Sequence, residues 1–138
     1  MTQVEKPRPI VDTLSQEWFD AAREGRFLIQ RRDHDGGLQW YPRGHALGTL
    51  DCGVSWVEAS GFGTVHTFTV VHRTANAEFA DDCPYVLAVV ELAEGPRVTT
   101  RIVNTDPHQV HCEQRVRVVF VHDGETVLPY FEPAEEQT

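Results

Sequence analysis

A mainly β protein is predicted: one small barrel of about five strands, preceded by a single short helix. Two observations carry this. From Trp56 onward, β-branched and aromatic runs alternate with turns built on Gly, Pro and Asp. Before Trp56, only residues 15–24 space their apolar side chains as a helix does. A chain of 138 residues is one domain with one modest core.

Residues 1–12, broken by Pro7 and Pro9, form an extended arm. The helical unit covers 13–26. Ser15 stands as N-cap, Trp18, Phe19 and Ala22 share one face, and Gly25 ends the helix. Residues 27–55 are irregular. Phe27 to Ile29 is a short strand, Gly36 and Gly37 turn the chain, and Leu38 to Tyr41 is a second strand ending at Pro42. From Gly44 to Gly53 no periodicity is sustained. A stretch of that kind needs a staple to be ordered, and the sequence shows none.

The barrel is expected over 56–131. Residues 57–60 lead into the turn Gly61, Phe62, Gly63. Thr64 to His72 is a long strand, with Val65, Thr67, Thr69 and Val71 on one face and His66, Phe68, Val70 and His72 on the other. Tyr85 to Leu92 is almost continuously apolar, and Glu94, Gly95 and Pro96 turn it into its hairpin partner, Arg97 to Val103. Arg115 to His122 alternates cleanly, with Val116, Val118 and Phe120 on one side. Asp123 and Gly124 make a turn, Leu128 to Phe131 closes the barrel, and 132–138 is an acidic tail.

Composition removes several classes of function. The net charge of -9, from 21 acidic and 12 basic residues, opposes a phosphate backbone and argues against nucleic acid. No apolar run approaches the roughly 20 residues that span a bilayer. The N-terminus lacks an apolar signal core, so a cytoplasmic location is expected. Cys52, Cys83 and Cys112 are scattered and make neither a disulfide framework nor a metal knuckle. Asp81 and Asp82 give Cys83 an acidic setting that opposes thiolate formation. Cys112 and its neighbour His111 are expected on opposite faces of a strand. Lys6 is the only lysine; the other eleven basic residues are arginines, whose planar forks suit phosphate or carboxylate.

Five segments, in order, carry a resemblance. They are Trp18 to Ala22 followed by Gly25; Tyr41, Pro42 and Arg43; Trp56 to Gly63 (WVEASGFG); the strand between Pro84 and Glu94-Gly95; and Leu128 to Pro133 (LPYFEP). Over nearly its whole length the chain resembles domain-of-unknown-function family 35, in which a rubredoxin-like zinc ribbon precedes an OB-fold barrel. The resemblance implies an OB-fold barrel behind a degenerate, metal-free zinc-ribbon-like segment. Where the family's two cysteine pairs would stand, this chain has Arg32 and Asp35, then Ala46 and Thr49. His34, Asp35 and His45 remain as alternative ligands for a residual metal. Otherwise Trp40, Tyr41 and apolar packing are expected to hold the ribbon.

The family resemblance also implies a role. Such proteins bind thiolase-like or acyl-CoA synthase enzymes, and some complete an aldolase that cleaves a steroid side-chain CoA thioester. An accessory subunit of a thiolase-like acyl-CoA enzyme is therefore expected, in a lyase, acyltransferase or condensing complex. It would not be catalytic alone and would hold no tightly bound cofactor; a coenzyme A thioester would be the ligand of the complex. Arg73, Arg97 and Arg101 are candidates for gripping its phosphates, or else surface arginines. His66 and His72 are candidates for polar contact at the thioester, or else solvent-facing residues. Trp18, Phe19, Trp40, Tyr130 and Phe131 are candidates for the partner interface or the core. Two other functions stay open. An OB-fold nucleic-acid binder would need a basic groove with stacking aromatics. A free-standing thioesterase would need a long helix wrapped by a sheet.

Overall fold

The computed structural model describes residues 5–50 and 53–134. Helix α1 (Gln16–Arg23) follows Ser15 as its N-cap residue, as the sequence pattern indicates. Ser15 makes no capping bond of its own. Its N–H and hydroxyl both donate to Asp12 Oδ1, at 2.8 and 2.7 Å, and the Gln16 N–H reaches the Asp12 carbonyl at 2.9 Å. Asp12 thus anchors the turn that leads into the helix and satisfies the Gln16 N–H. At the other end Gly25 takes φ +77°, its N–H bonds to Ala22 O, and Arg26 N–H bonds to Ala21 O. This is a Schellman stop, which a residue with a Cβ adopts only at a cost.

Three short strands follow: β1 (Leu28–Arg32), β2 (Leu38–Gln39) and β3 (Val54–Glu58). They form an antiparallel sheet in the order β2-β1-β3. Residues 56–58, expected to open the barrel, pair instead with β1, with Ile29 opposite Val57.

The barrel itself is β4 (Phe62–Val71), β5 (Tyr85–Leu92), β6 (Arg97–Ile102), β7 (Arg115–Asp123) and β8 (Thr126–Pro133). It closes in the order β4-β5-β6-β8-β7, the five-stranded OB arrangement. Its one parallel contact joins Ile102 to Phe131. The expected five-stranded OB-fold is present.

The face assignment expected for β4 fails at one residue. Val65 pairs with Val90 and Thr67 with Val89, so His66 is an extra residue in a β-bulge. The bulge reverses the alternation beyond it. Val65 therefore shares the inner side with Phe68 and Val70, while Thr67 and Thr69 point out.

The glycines of WVEASGFG have a physical cause. Gly61 takes φ +87°. A Cβ on Gly63 would stand 2.6 Å from the Glu91 carbonyl oxygen, so only glycine lets β4 approach β5 this closely. Ser60 N–H donates to Glu94 Oε2 at 2.6 Å, tying this turn to the β5–β6 turn.

Val65, Val86, Val90, Val116 and Phe131 fill the barrel. Aromatic rings continue the core into the small sheet. Trp18 lies 4.9 Å from Phe19, 6.3 Å from Phe27 and 5.9 Å from Trp40, and Phe27 meets Phe131 at 6.2 Å. Trp18 Nε1 donates to Leu28 O at 3.0 Å. Helix, sheet and barrel thus share one interior. Among the described residues no helix is long and apolar enough to cross a membrane. The only α-helix among them has eight residues, too short for the wrapped helix of a thioesterase.

Candidate functional site

Two places concentrate polar structure: the ribbon loop and a groove at one end of the barrel.

At the ribbon, the four positions where the resemblance places thiolates hold other chemistry. Arg32 Nε donates to Asp35 Oδ1 at 3.0 Å, and the Gly37 N–H donates to the same oxygen at 2.8 Å. The Arg32 hydrogen bond, with the Gly37 N–H, holds the Asp35 carboxyl below its usual range. Ala46 is wholly buried and offers only a methyl group; Thr49 offers a hydroxyl. His34 Nε2 lies 3.5 Å from Asp35 Oδ2, and His45 is exposed. Among the described residues no three His, Cys, Asp or Glu side chains converge as a cage. Cys52 lies outside the described residues. This donor set does not fit a structural zinc, which takes four converging ligands, usually thiolates and imidazoles.

Two glutamines hold the loop instead, a staple the sequence pattern did not reveal. Gln30 and Gln39 are 2% and 3% exposed. The Gln30 side chain bonds both backbone groups of Arg43: Nε2 donates to its carbonyl at 2.9 Å, and Oε1 accepts its N–H at 3.0 Å. Gln39 Nε2 donates to Gln30 Oε1 and to His45 O, while its Oε1 accepts the Leu47 N–H at 3.0 Å. Trp40 packs on Trp18 and Phe27 in the core. Tyr41 is 54% exposed with φ +64°, its ring 5.8 Å from Trp40.

The groove, of about 640 Å³, lies between the β4–β5 connection, β6, the β7–β8 hairpin and the N-terminal arm. In OB folds the faces of the second and third strands, with the loops joining strands 1–2 and 4–5, form the ligand cleft. Here those strands are β5 and β6. Asp82 sits at its centre, at the end of a 3-10 turn (Ala77–Asp82). Lys6 Nζ is 2.8 Å from Asp82, and Arg101 Nη1 is 3.0 Å from Asp82 Oδ2. The Arg101 guanidinium lies 3.9 Å over the Tyr85 ring, with Phe79 and Tyr130 at 5.7 and 5.8 Å. Burial pushes the Asp82 carboxyl up, but hydrogen bonds and charge from Lys6 and Arg101 outweigh it, and the group is held below its usual range. The arrangement holds two cations, one internal counter-ion and aromatic walls.

The expected site residues divide. Arg101 and Tyr130 meet in this groove. Arg97 stands four residues away on the same strand and pairs with Glu91 at 3.2 Å. Arg73 and His66 are exposed, and His72 stacks on His108 at 5.8 Å. Trp18 and Phe131 are buried in the chain's own core, with Phe19 and Trp40 half-buried beside them. Cys83 is half-buried, its sulfur 3.8 Å from Phe79 O. His111 and Cys112 lie in a turn before β7, not on a strand as expected. Sequence reasoning missed Lys6, Phe79, Asp82 and Tyr85. The lone lysine followed by proline was the available signal.

A family model described as the C-terminal OB-fold domain of ChsH2 matches residues 56–121. A solved Ltp2-ChsH2(DUF35) aldolase chain superposes with a TM-score of 0.81 at 32% identity, over 91% of this chain and 98% of that one. The chain belongs to the DUF35 family. Two of its curated relatives are longer proteins. A probable enoyl-CoA hydratase alpha subunit of Thermomonospora curvata is 35% identical over 136 residues, 96% of this DUF35 chain and 41% of the relative. The 3-oxo-4,17-pregnadiene-20-carboxyl-CoA hydratase alpha subunit of Mycobacterium tuberculosis is 30% identical over 118 residues, 86% of this chain and 37% of the relative. The DUF35 chain thus spans less than half the length of either.

Proposed function

We propose that this DUF35 chain is the OB-fold accessory subunit of a thiolase-like acyl-CoA enzyme, stabilising that partner and helping to hold its acyl-CoA. The observation that carries the reading is the match along 98% of the solved Ltp2-ChsH2(DUF35) aldolase chain. The reaction is then cleavage of a steroid side-chain CoA thioester, in line with the pregnadiene carboxyl-CoA name of the mycobacterial relative. Of the candidate acyl-CoA contacts, Arg101 has the best supported position, and Arg73, Arg97, His66 and His72 are peripheral to it. The partner surface includes Phe19, Trp40 and Tyr130, backed by the buried Trp18 and Phe131. The reading carries a cytoplasmic location, in keeping with free thiols at Cys83 and Cys112.

The test is a pull-down of the tagged chain from its own host, with mass spectrometry of what co-elutes. A stoichiometric thiolase-like protein is expected, with carbon–carbon cleavage of a CoA thioester appearing when the two are mixed. A monomer that leaves such a protein inactive overturns the reading. A second reading, docking to an enoyl-CoA hydratase, is favoured by the names of the two longer relatives. It is separated by the same mixture: water addition to an enoyl-CoA marks a hydratase, and cleavage marks the aldolase.

A further inference from the structure

The arm crosses the mouth of the groove and touches both loops that flank it. Lys6 reaches Asp82 in the β4–β5 connection. Arg8 lies over the β7–β8 turn, where a Cβ on Gly124 would stand 3.0 Å from its Nη2. Between these two points the groove is lined by Lys6, Arg8 and Arg101 against Asp82 and Asp123. Arg8 pairs in turn with Glu5 at 2.9 Å, which leaves Lys6 and Arg101 sharing the Asp82 carboxylate, on a chain whose net charge is -9. At its centre one carboxylate bridges two cations of different shape, an ammonium and a guanidinium fork.

We propose that this groove is a phosphoryl-binding site strapped by the arm, with Asp82 standing in for the ligand's phosphate. An incoming phosphate monoester takes Lys6 and Arg101 over from Asp82. It carries up to twice the charge of a carboxylate and three acceptor oxygens, so it serves both cations at once. The aromatic walls of Phe79, Tyr85 and Tyr130 keep the cations partly out of water: Arg101 is 18% and Lys6 36% exposed. The strap gives way at Lys6, because the arm is not part of the barrel's ladder. The ligand's phosphate has two possible sources, a free phosphate ester or the 3′-phosphate of coenzyme A. The inference deepens the accessory-subunit reading and rests on it only for the second source.

The chain alone is titrated by calorimetry with inorganic phosphate, coenzyme A and dephospho-coenzyme A. Lys6→Met and Asp82→Asn are measured beside the wild type, with thermal melts to establish folding. Saturable, salt-sensitive binding is expected. Lys6→Met weakens it about fivefold and Asp82→Asn tightens it about fivefold, as half-exposed ion pairs allow. Coenzyme A binding better than its dephospho form identifies the 3′-phosphate; equal binding of coenzyme A and dephospho-coenzyme A, with inorganic phosphate also bound, identifies a free ester. Absence of binding by all three probes, or weaker binding by folded Asp82→Asn, overturns the inference. If the probes fail while the chain still assembles with a thiolase-like protein, only the inference falls. If they bind and no such assembly forms, only the accessory reading does.

Discussion

Gln39 Nε2 donates to Gln30 Oε1 at 2.9 Å, and through this one bond two buried amides hold the loop from Arg43 to Leu47 against the β1–β2 hairpin. Replacing either side chain with leucine keeps the volume and removes the polar partner. Gln30→Leu strands both backbone groups of Arg43. The expected loss is about 1–3 kcal/mol for the unsatisfied groups, read as a lower midpoint in urea with an unchanged slope. A midpoint equal to wild type would show that the loop does not depend on the pair.

The ribbon's stability should not respond to metal removal. Arg32 and Asp35 bond each other, and Ala46 is a buried methyl, so among the described residues the loop has no donor set for a chelator to empty. Thermal melts with and without a strong chelator should coincide. A drop that zinc reverses would contradict the glutamine staple.

Gly63→Ala should be among the most damaging single-methyl changes in the chain. The new Cβ would meet backbone, the Glu91 carbonyl at 2.6 Å, which cannot rotate away as a side chain can. Overpacking of this kind costs about 1–3 kcal/mol. Circular-dichroism melts of the variant against Gly44→Ala, where a Cβ meets nothing within 4 Å, provide the comparison.

The arm should leave the groove in acid. The Asp82 carboxyl is lowered in the folded state from 3.8, so its ion pairs contribute stability that is fully present above pH 3.8. That contribution is lost as the pH falls below 3.8 through the folded value. Nitrogen-15 relaxation of the arm amides should therefore report a released arm below that pH before the barrel melts. Asp82→Asn should show the released arm at every pH.

The sequence made the barrel legible because β-branched and apolar runs, alternating in Arg115 to His122 and nearly continuous in Tyr85 to Leu92, lie between strong turns, and Gly61 to Gly63 and Leu128 to Pro133 added family cues. The helix was legible from Trp18, Ala22 and Gly25, although its first bond belongs to Asp12. The bulge at His66 was not, since one inserted residue in a β-branched run leaves no mark on composition. Gln30 and Gln39 were hidden for another reason: a polar side chain in a short strand looks solvated until a loop with bare backbone groups folds over it. The groove was half legible. Arg101 stood out as an arginine on a strand, but its meeting with Lys6 across nearly a hundred residues is a product of closure.

The placement of α1 against β8 sets the order in which the molecule can be completed. Helix α1 rests on β8, and Phe27 meets Phe131 edge-on. Contacts this distant along the chain are slow to form. A chain in which β8 has not docked leaves the side of Phe27 that faces Phe131 uncovered. The interior shared by helix, sheet and barrel is therefore complete only once β8 is in place.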